Sequence, residues 1–203
     1  MSDQPDLIVW DFDGVLNANM RNGRIFWADD MKADLGIDPA VFTREMFTTD
    51  DFKAILRGRI DLLAHVSDWL ARNGYALGGE AFLRYWFEKD AHPDAQMLGL
   101  IGAHPARHVI GTNNEHHRCR FIEEEMGYAA VVERVFSSGR MGAAKPDAGF
   151  FAQIERWSGL APSRILLVDD VAANIAAARA RGWMGFHFTD ATRDALPERL
   201  GLA

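Results

Sequence analysis

The chain is punctuated by short apolar runs that stop on polar residues. Residues 7–10 (Leu-Ile-Val-Trp) lie between Pro5 and the segment Asp11-Phe12-Asp13-Gly14. Residues 109–110 run into Gly111-Thr112-Asn113-Asn114, residues 165–168 into Asp169-Asp170, and residues 185–188 into Thr189-Asp190. A weaker run, 131–136, ends in Ser137-Ser138-Gly139. Apolar stretches of this length, closed by polar residues, predict strands buried on both faces. Helical patterns between them cover 115–126, 147–158 and 172–181. Each is followed by a glycine (Gly127, Gly159, Gly182), the usual residue just past a last helical turn. Strands alternating with helices predict an α/β fold, a mostly parallel sheet with helices on both faces.

Residues 17–89 break the alternation. No buried strand is legible there. The pattern predicts helices over 29–35, 39–47, 49–56, 61–72 and 80–88, with Asp38 capping the second and Pro39 at its first position. A helical module placed between the first strand and the rest of the sheet reads as an insertion. It divides the chain into a core of 1–16 plus 90–203 and an inserted unit of 17–89.

Composition narrows the function classes. Hydrophobic residues make up 48% and charged residues 25%, as in ordinary globular domains. A net charge of -7 with no long basic run argues against a nucleic-acid partner. No apolar run reaches membrane-spanning length, and the polar, acidic N-terminus lacks the pattern of a signal peptide. The single cysteine, Cys119, cannot form an intrachain disulfide, and reads as a packing residue. A cytoplasmic location is expected. Oligomeric state, monomer or dimer, is not legible.

The candidate chemistry collects where the strands end, the edge at which open parallel sheets bind ligands. Asp11 and Asp13 follow the first strand, Thr112 and Asn113 the second, and Asp169 and Asp170 a later one; Lys145 precedes the helix over 147–158. Clustered carboxylates repel one another unless a cation sits among them, and Mg²⁺ suits a site of oxygen ligands shared with substrate phosphate. One carboxylate can attack phosphorus, and another two residues away can act as acid and then base. Lys145 and the Thr112 hydroxyl can hold phosphoryl oxygens.

Asp11-Phe12-Asp13-Gly14-Val15, Thr112-Asn113, Lys145-Pro146 and Asp169-Asp170, in this order and at these strand ends, resemble the four motifs of the haloacid dehalogenase-like (HAD) hydrolase superfamily. The resemblance runs from about Leu7 to Phe188. It implies a Rossmann-like core, with the helical insertion as a C1 cap, and is similar to the small sugar-phosphatase branch. It further implies Asp11 as the nucleophile that forms an aspartyl-phosphate, and Asp13 as general acid and base. Thr112, the Asn113 backbone N–H and Lys145 would bind phosphate. Asp11, the Asp13 carbonyl, Asp169 and Asp170 would surround Mg²⁺. Asp13 points away from dehalogenation, because a halide leaving group needs no proton. The expected activity is hydrolysis of a small phosphorylated metabolite, with a sugar phosphate among the candidates. A phosphomutase and a non-catalytic binding protein of the same fold are the alternatives. A signalling receiver domain ranks below them, because its paired acids follow the first strand rather than a late one.

Other residues admit plainer readings. Asp11, Asp13, Asn17 and Asn19 could begin a calcium loop, but Asn22 stands where that loop needs a glutamate. Asp170 could cap the helix that follows it. Asn174 either bonds near the site or ends a helix. His116 and His117 should point about 100° apart on a helix and so fill surface or capping roles rather than face each other. Trp27, Trp69 and Trp86 read as packing within the insertion, and Arg24 and Arg57 as side chains able to reach substrate from it.

Overall fold

The computed structural model describes residues 4–21 and 23–202. It opens with strand β1 (Leu7–Trp10) and a short exposed hairpin, β2 (Met20–Arg21) and β3 (Arg24–Ile25). Five helices follow: α1 (Met31–Leu35), α2 (Pro39–Phe47), α3 (Asp50–Ile55), α4 (Leu62–Arg72) and α5 (Gly79–Lys89). The remainder runs α6 (Ala95–Ala103), β4 (Arg107–Thr112), α7 (His116–Glu124), β5 (Arg134–Ser137) and α8 (Ser138–Met141). It ends with α9 (Ala148–Ser158), β6 (Ile165–Asp169), α10 (Ala172–Ala180), β7 (Met184–His187) and α11 (Leu196–Arg199). Among the described residues no helix is long and apolar enough to cross a membrane.

The main sheet is five-stranded in the order β5-β4-β1-β6-β7, and every pairing in it is parallel. The chain winds outward from β1 through β4 to β5, then returns to the other side of β1 with β6 and β7. The register sets Trp10 beside both Ile110 and Val168. The residues that follow these strands therefore emerge together at one edge.

Alternate residues of β1 feed opposite layers. Ile8 and Trp10 pack with Ile110, Leu166, Met97, Ile122 and Tyr128, while Leu7 and Val9 pack with Val109, Leu167, Phe150, Ile154 and Trp183. Gly111 permits this packing, since a Cβ there would lie 2.6 Å from the Val9 side chain. The helices α1–α5 keep a separate apolar cluster that includes Trp27, Met31, Phe42, Val66, Trp69 and Phe82. Asp38, Thr49 and Asp61 cap α2, α3 and α4, each side chain accepting backbone N–H bonds.

One local expectation fails and two elements were not expected, each for an identifiable reason. The run 131–136 is not all strand. Tyr128–Ala130 form a 3₁₀ turn, Val131 is exposed, and β5 begins only at Arg134. Helix α6 has no counterpart in the sequence reading. Its segment, Ala-Gln-Met-Leu-Gly-Leu-Ile-Gly-Ala, is apolar on most sides and carries two helix-weakening glycines, so no periodicity stands out. Asp94 starts it by accepting from the backbone N–H groups of Gln96 and Met97. The hairpin of β2 and β3 was not legible either, because its four residues are exposed and carry no apolar alternation.

Candidate active site

Asp11 lies just past β1, and its backbone N–H extends the pairing to the Val168 carbonyl at 2.8 Å. Lys145 reaches it from the loop before α9, with Nζ 2.9 Å from Asp11 Oδ1 and 2.6 Å from Asp169 Oδ2. All three residues are buried. Asn113 fixes the lysine's backbone: its side chain donates to the Lys145 carbonyl and accepts from the Lys145 N–H, both at 2.8 Å. Asn174 donates to both carboxylate oxygens of Asp169, at 3.0 and 3.1 Å, and the Val171 N–H donates to Asp169 Oδ1 at 2.9 Å. Asn174 therefore bonds within this group and does not end a helix. Asp170 does not cap α10; Val171 occupies that position, with no side-chain cap bond.

Charge in this group is unbalanced. Burial drives the Asp11 carboxyl well above the usual carboxylate range against the pull of Lys145, and the charges of Asp169 and Asp170 add to the rise. Burial and Asp169 likewise raise Asp170. Burial works against the Lys145 ammonium, but Asp11 and Asp169 outweigh it and hold it above the ordinary lysine value. Three carboxylates thus share one ammonium. Oxygen atoms of Asp11, Asp169 and Asp170 all lie within 4.8 Å of one another. A hard divalent cation that prefers oxygen would relieve this repulsion, so the donor set fits Mg²⁺. Gly14 keeps the approach open, with φ +77° and a position where a Cβ would lie 2.7 Å from Asp170 Oδ2.

The carboxylate of Asp13 belongs to a different network. Its Oδ1 accepts from the side-chain amides of Asn17 at 3.1 Å and Asn19 at 2.8 Å, and its Oδ2 accepts from Asn114 at 2.8 Å. Asn114 also donates to the Thr112 hydroxyl at 2.8 Å, which ties the second strand end to the same acid. Asn19 donates equally to Asp90 Oδ1, and Asp90 pairs with buried Arg118 at 2.9 Å. Burial, with the Asp13 charge, pushes Asp90 up to about 7 against the opposing pull of Arg118. The segments 17–19 and 90 are where the chain passes between sheet and helical cluster, so Asp13 is held directly by the first crossing and tied to the second through Asn17 and Asn19.

Asp11, Asp13, Thr112, Asn113, Lys145, Asp169 and Asp170, the residues expected from the sequence, all lie at the carboxyl edge. Asn114, Asp90 and Arg118 join them without having been expected, and Asn17 and Asn19 bond Asp13 where the sequence suggested at most a calcium loop. Only the position of Asn114, directly after Thr112-Asn113, offered a local signal. His116 and His117 do come together, with ring centroids 4.0 Å apart and planes tilted by 37°. Asp61, the cap of α4, draws them together, accepting from His117 Nε2 at 2.8 Å and lying 3.5 Å from His116 Nε2. Arg57 turns away to pair with Asp147 at 2.9 Å, and Arg24 pairs with Asp29 at 2.6 Å.

A cavity of about 1120 Å³ opens beside Asp13, Asn113 and Asn114 and extends among the helices of the insertion.

No family model matches the chain. Over 104 residues it is 29% identical to a sesquiterpene phosphatase of Aspergillus oryzae, a match covering 48% of this chain and 52% of the relative. The matched region thus spans about half the length of that curated relative. Solved structures match over far more of the chain. A HAD family enzyme of Bacteroides thetaiotaomicron, solved as a magnesium complex, superposes with a TM-score of 0.78 at 16% identity, covering 98% of this chain and all (100%) of that one. A protein of Porphyromonas gingivalis described as a HAD-like family hydrolase gives 0.74 at 19% identity, covering 97% and 98%. The L-2-haloacid dehalogenase of Xanthobacter autotrophicus gives 0.67 at 16% identity, covering 98% and 83%. With its sheet order, its helices inserted after β1 and these near-complete superpositions, the chain has the fold of the HAD-like hydrolases.

Proposed function

We propose that this chain is a Mg²⁺-dependent phosphomonoester hydrolase of the HAD superfamily, with 17–89 as its cap. The observation that carries the reading is the separation of two acids. Asp11 is paired to Lys145 inside the carboxylate cluster, while Asp13 is held apart by three amides beside the cavity. A dehalogenase has no use for the second acid. The phosphatase from Aspergillus oryzae and the neighbour solved with magnesium and inorganic phosphate support the same reaction class.

Asp11, Asp169, Asp170 and the Asp13 carbonyl would hold Mg²⁺, which supplies charge neutralisation for the phosphoryl oxygens. The steps belong to the protein's own groups. The Asp11 carboxylate attacks phosphorus, the P–O bond to the alcohol breaks, and Asp13 donates its proton to the departing oxygen. Asp13 then takes a proton from water as that water attacks the aspartyl-phosphate, releasing inorganic phosphate and regenerating Asp11. Lys145, the Thr112 hydroxyl and the Asn113 N–H offset the charge on the phosphoryl group.

A panel of phosphomonoesters assayed with Mg²⁺ tests this, with Asp11→Asn as the blank. Phosphate release that disappears in Asp11→Asn and in excess chelator is the expected result. Activity that survives either change, or a phosphate-ester isomer as the main product, would refute the hydrolase reading.

A further inference from the structure

We propose that the alcohol released is bulky and apolar, of the prenyl, long-alkyl or polycyclic type, rather than a sugar; this rests on the phosphomonoesterase reading above. The cleft beside Asp13 has a volume of about 1120 Å³, above the roughly 300–1,000 Å³ of ordinary ligand pockets. Its wall is aromatic. Trp27 and Trp86 stack with centroids 4.7 Å apart, Phe47 abuts Trp86 at 5.4 Å, and Phe52 continues the line 4.8 Å from Phe47. Leu56 and Leu62 add to the lining.

Of the charged, amide and hydroxyl side chains that line this space, all but Thr43 already have protein partners among the described residues, several of them one another. Asp90 holds Arg118, Asp29 holds Arg24 and Glu45 holds Arg44. Glu115 caps α7, and the Thr48 hydroxyl donates to the Arg44 carbonyl. Asn113 and Asn114 are spent on the Lys145 backbone and on Asp13. A sugar surrenders the water on each hydroxyl and needs converging partners in return, and of these groups only the Thr43 hydroxyl has no protein partner to give up. A hydrocarbon needs none, and gains from every methylene buried against the rings. The phosphate end is polar and the far wall is largely apolar, which matches an amphipathic ester with its head at Asp11 and its tail among the helices of the insertion.

The test follows phosphate release with Mg²⁺ from n-alkyl monophosphates of increasing length, a prenyl monophosphate, a small aryl phosphate and hexose phosphates. We expect kcat/KM to rise about three- to fourfold per methylene, and the prenyl ester to exceed hexose phosphates by about a hundredfold. A flat chain-length profile, or a hexose phosphate hydrolysed as fast as the prenyl ester, overturns the proposal and leaves the phosphatase reading standing. No hydrolysis of any ester, the aryl phosphate included, sinks the phosphatase reading and this proposal with it. Binding supplies a readout apart from turnover: prenyl monophosphate should change the tryptophan fluorescence of Asp11→Asn saturably, and no response refutes the assignment. Phe47→Gln, with Leu56→Gln as a second variant should the first not fold, should lower the prenyl-to-aryl ratio of kcat/KM about tenfold. An unchanged ratio in a folded variant removes this wall from substrate selection.

Discussion

Replacing Lys145 with methionine keeps most of the side-chain volume and removes one charge from a wholly buried position, 2.9 Å from Asp11 and 2.6 Å from Asp169. At an effective dielectric of about 20, each contact represents about 6 kcal/mol of attraction. Most of that is offset by the hydration the three ions gave up, and breaking a buried pair costs about 3–5 kcal/mol net. Lys145→Met should lose that much stability at about pH 7, measured by urea unfolding in chelator so that no divalent cation replaces the ammonium. The loss should also depend on pH. Burial already raises the Asp11 carboxyl above its ordinary value of 3.8, and without Lys145 it rises further. A carboxyl raised by folding binds its proton more tightly in the native state. Its stabilising contribution is complete below the unfolded pKa and disappears as pH climbs through the folded one. Between the wild-type and variant values of Asp11 the deficit should therefore grow by about 1.4 kcal/mol per pH unit. A penalty under about 1 kcal/mol, or one that does not change with pH, would refute the view that Lys145 compensates buried charge here.

Three further outcomes follow from the geometry. Asp90 is raised from 3.8 to about 7, so its contribution to stability is complete below about pH 4 and should fall by up to about 4 kcal/mol by about pH 7; Asp90→Asn should flatten that slope in denaturant titrations, and parallel curves would contradict it. Asp13→Ala should lower kcat on alkyl phosphates by about 10²–10⁴ but on esters of acidic phenols far less, because those leaving groups need no proton; equal losses would remove Asp13 as the acid. Gly14→Ala combines φ +77° with a Cβ placed 2.7 Å from Asp170 Oδ2; it should cost about 1–2 kcal/mol in thermal unfolding and weaken Mg²⁺ binding by calorimetry, and a neutral result would mean the loop is free to shift.

Much of the core was legible because parallel strands buried on both faces leave continuous apolar runs, and because such runs end where the backbone meets polar ligands. Leu7–Trp10 and Ile165–Asp169 announce themselves in this way, and Asp11 and Asp169 follow directly. The helices of the insertion were legible through their caps, Asp38 and Asp61 among them. Where local pattern misled, burial was decided elsewhere. Val131 is apolar yet lies exposed after a turn, and α6 hides its periodicity among apolar residues and glycines.

By itself the sequence determined the strand ends, and with them which carboxylates share one edge of the sheet, while Lys145, on the loop before α9, was legible only through its motif. Only the tertiary structure decided what holds Asp13. Asn17 and Asn19 reach it from just along the chain, and Asn114 from α7's approach, while Asp90, paired with Arg118 of α7, anchors Asn19 from another crossing point. It likewise decided that Trp27, Trp86 and Phe47 line a cavity instead of merely filling the core of the insertion. The physical reason is the same in each case. Periodicity records which face of an element avoids water, but not which residues of other elements meet that face. Those meetings depend on where the insertion settles over the sheet, and no local spacing encodes that placement.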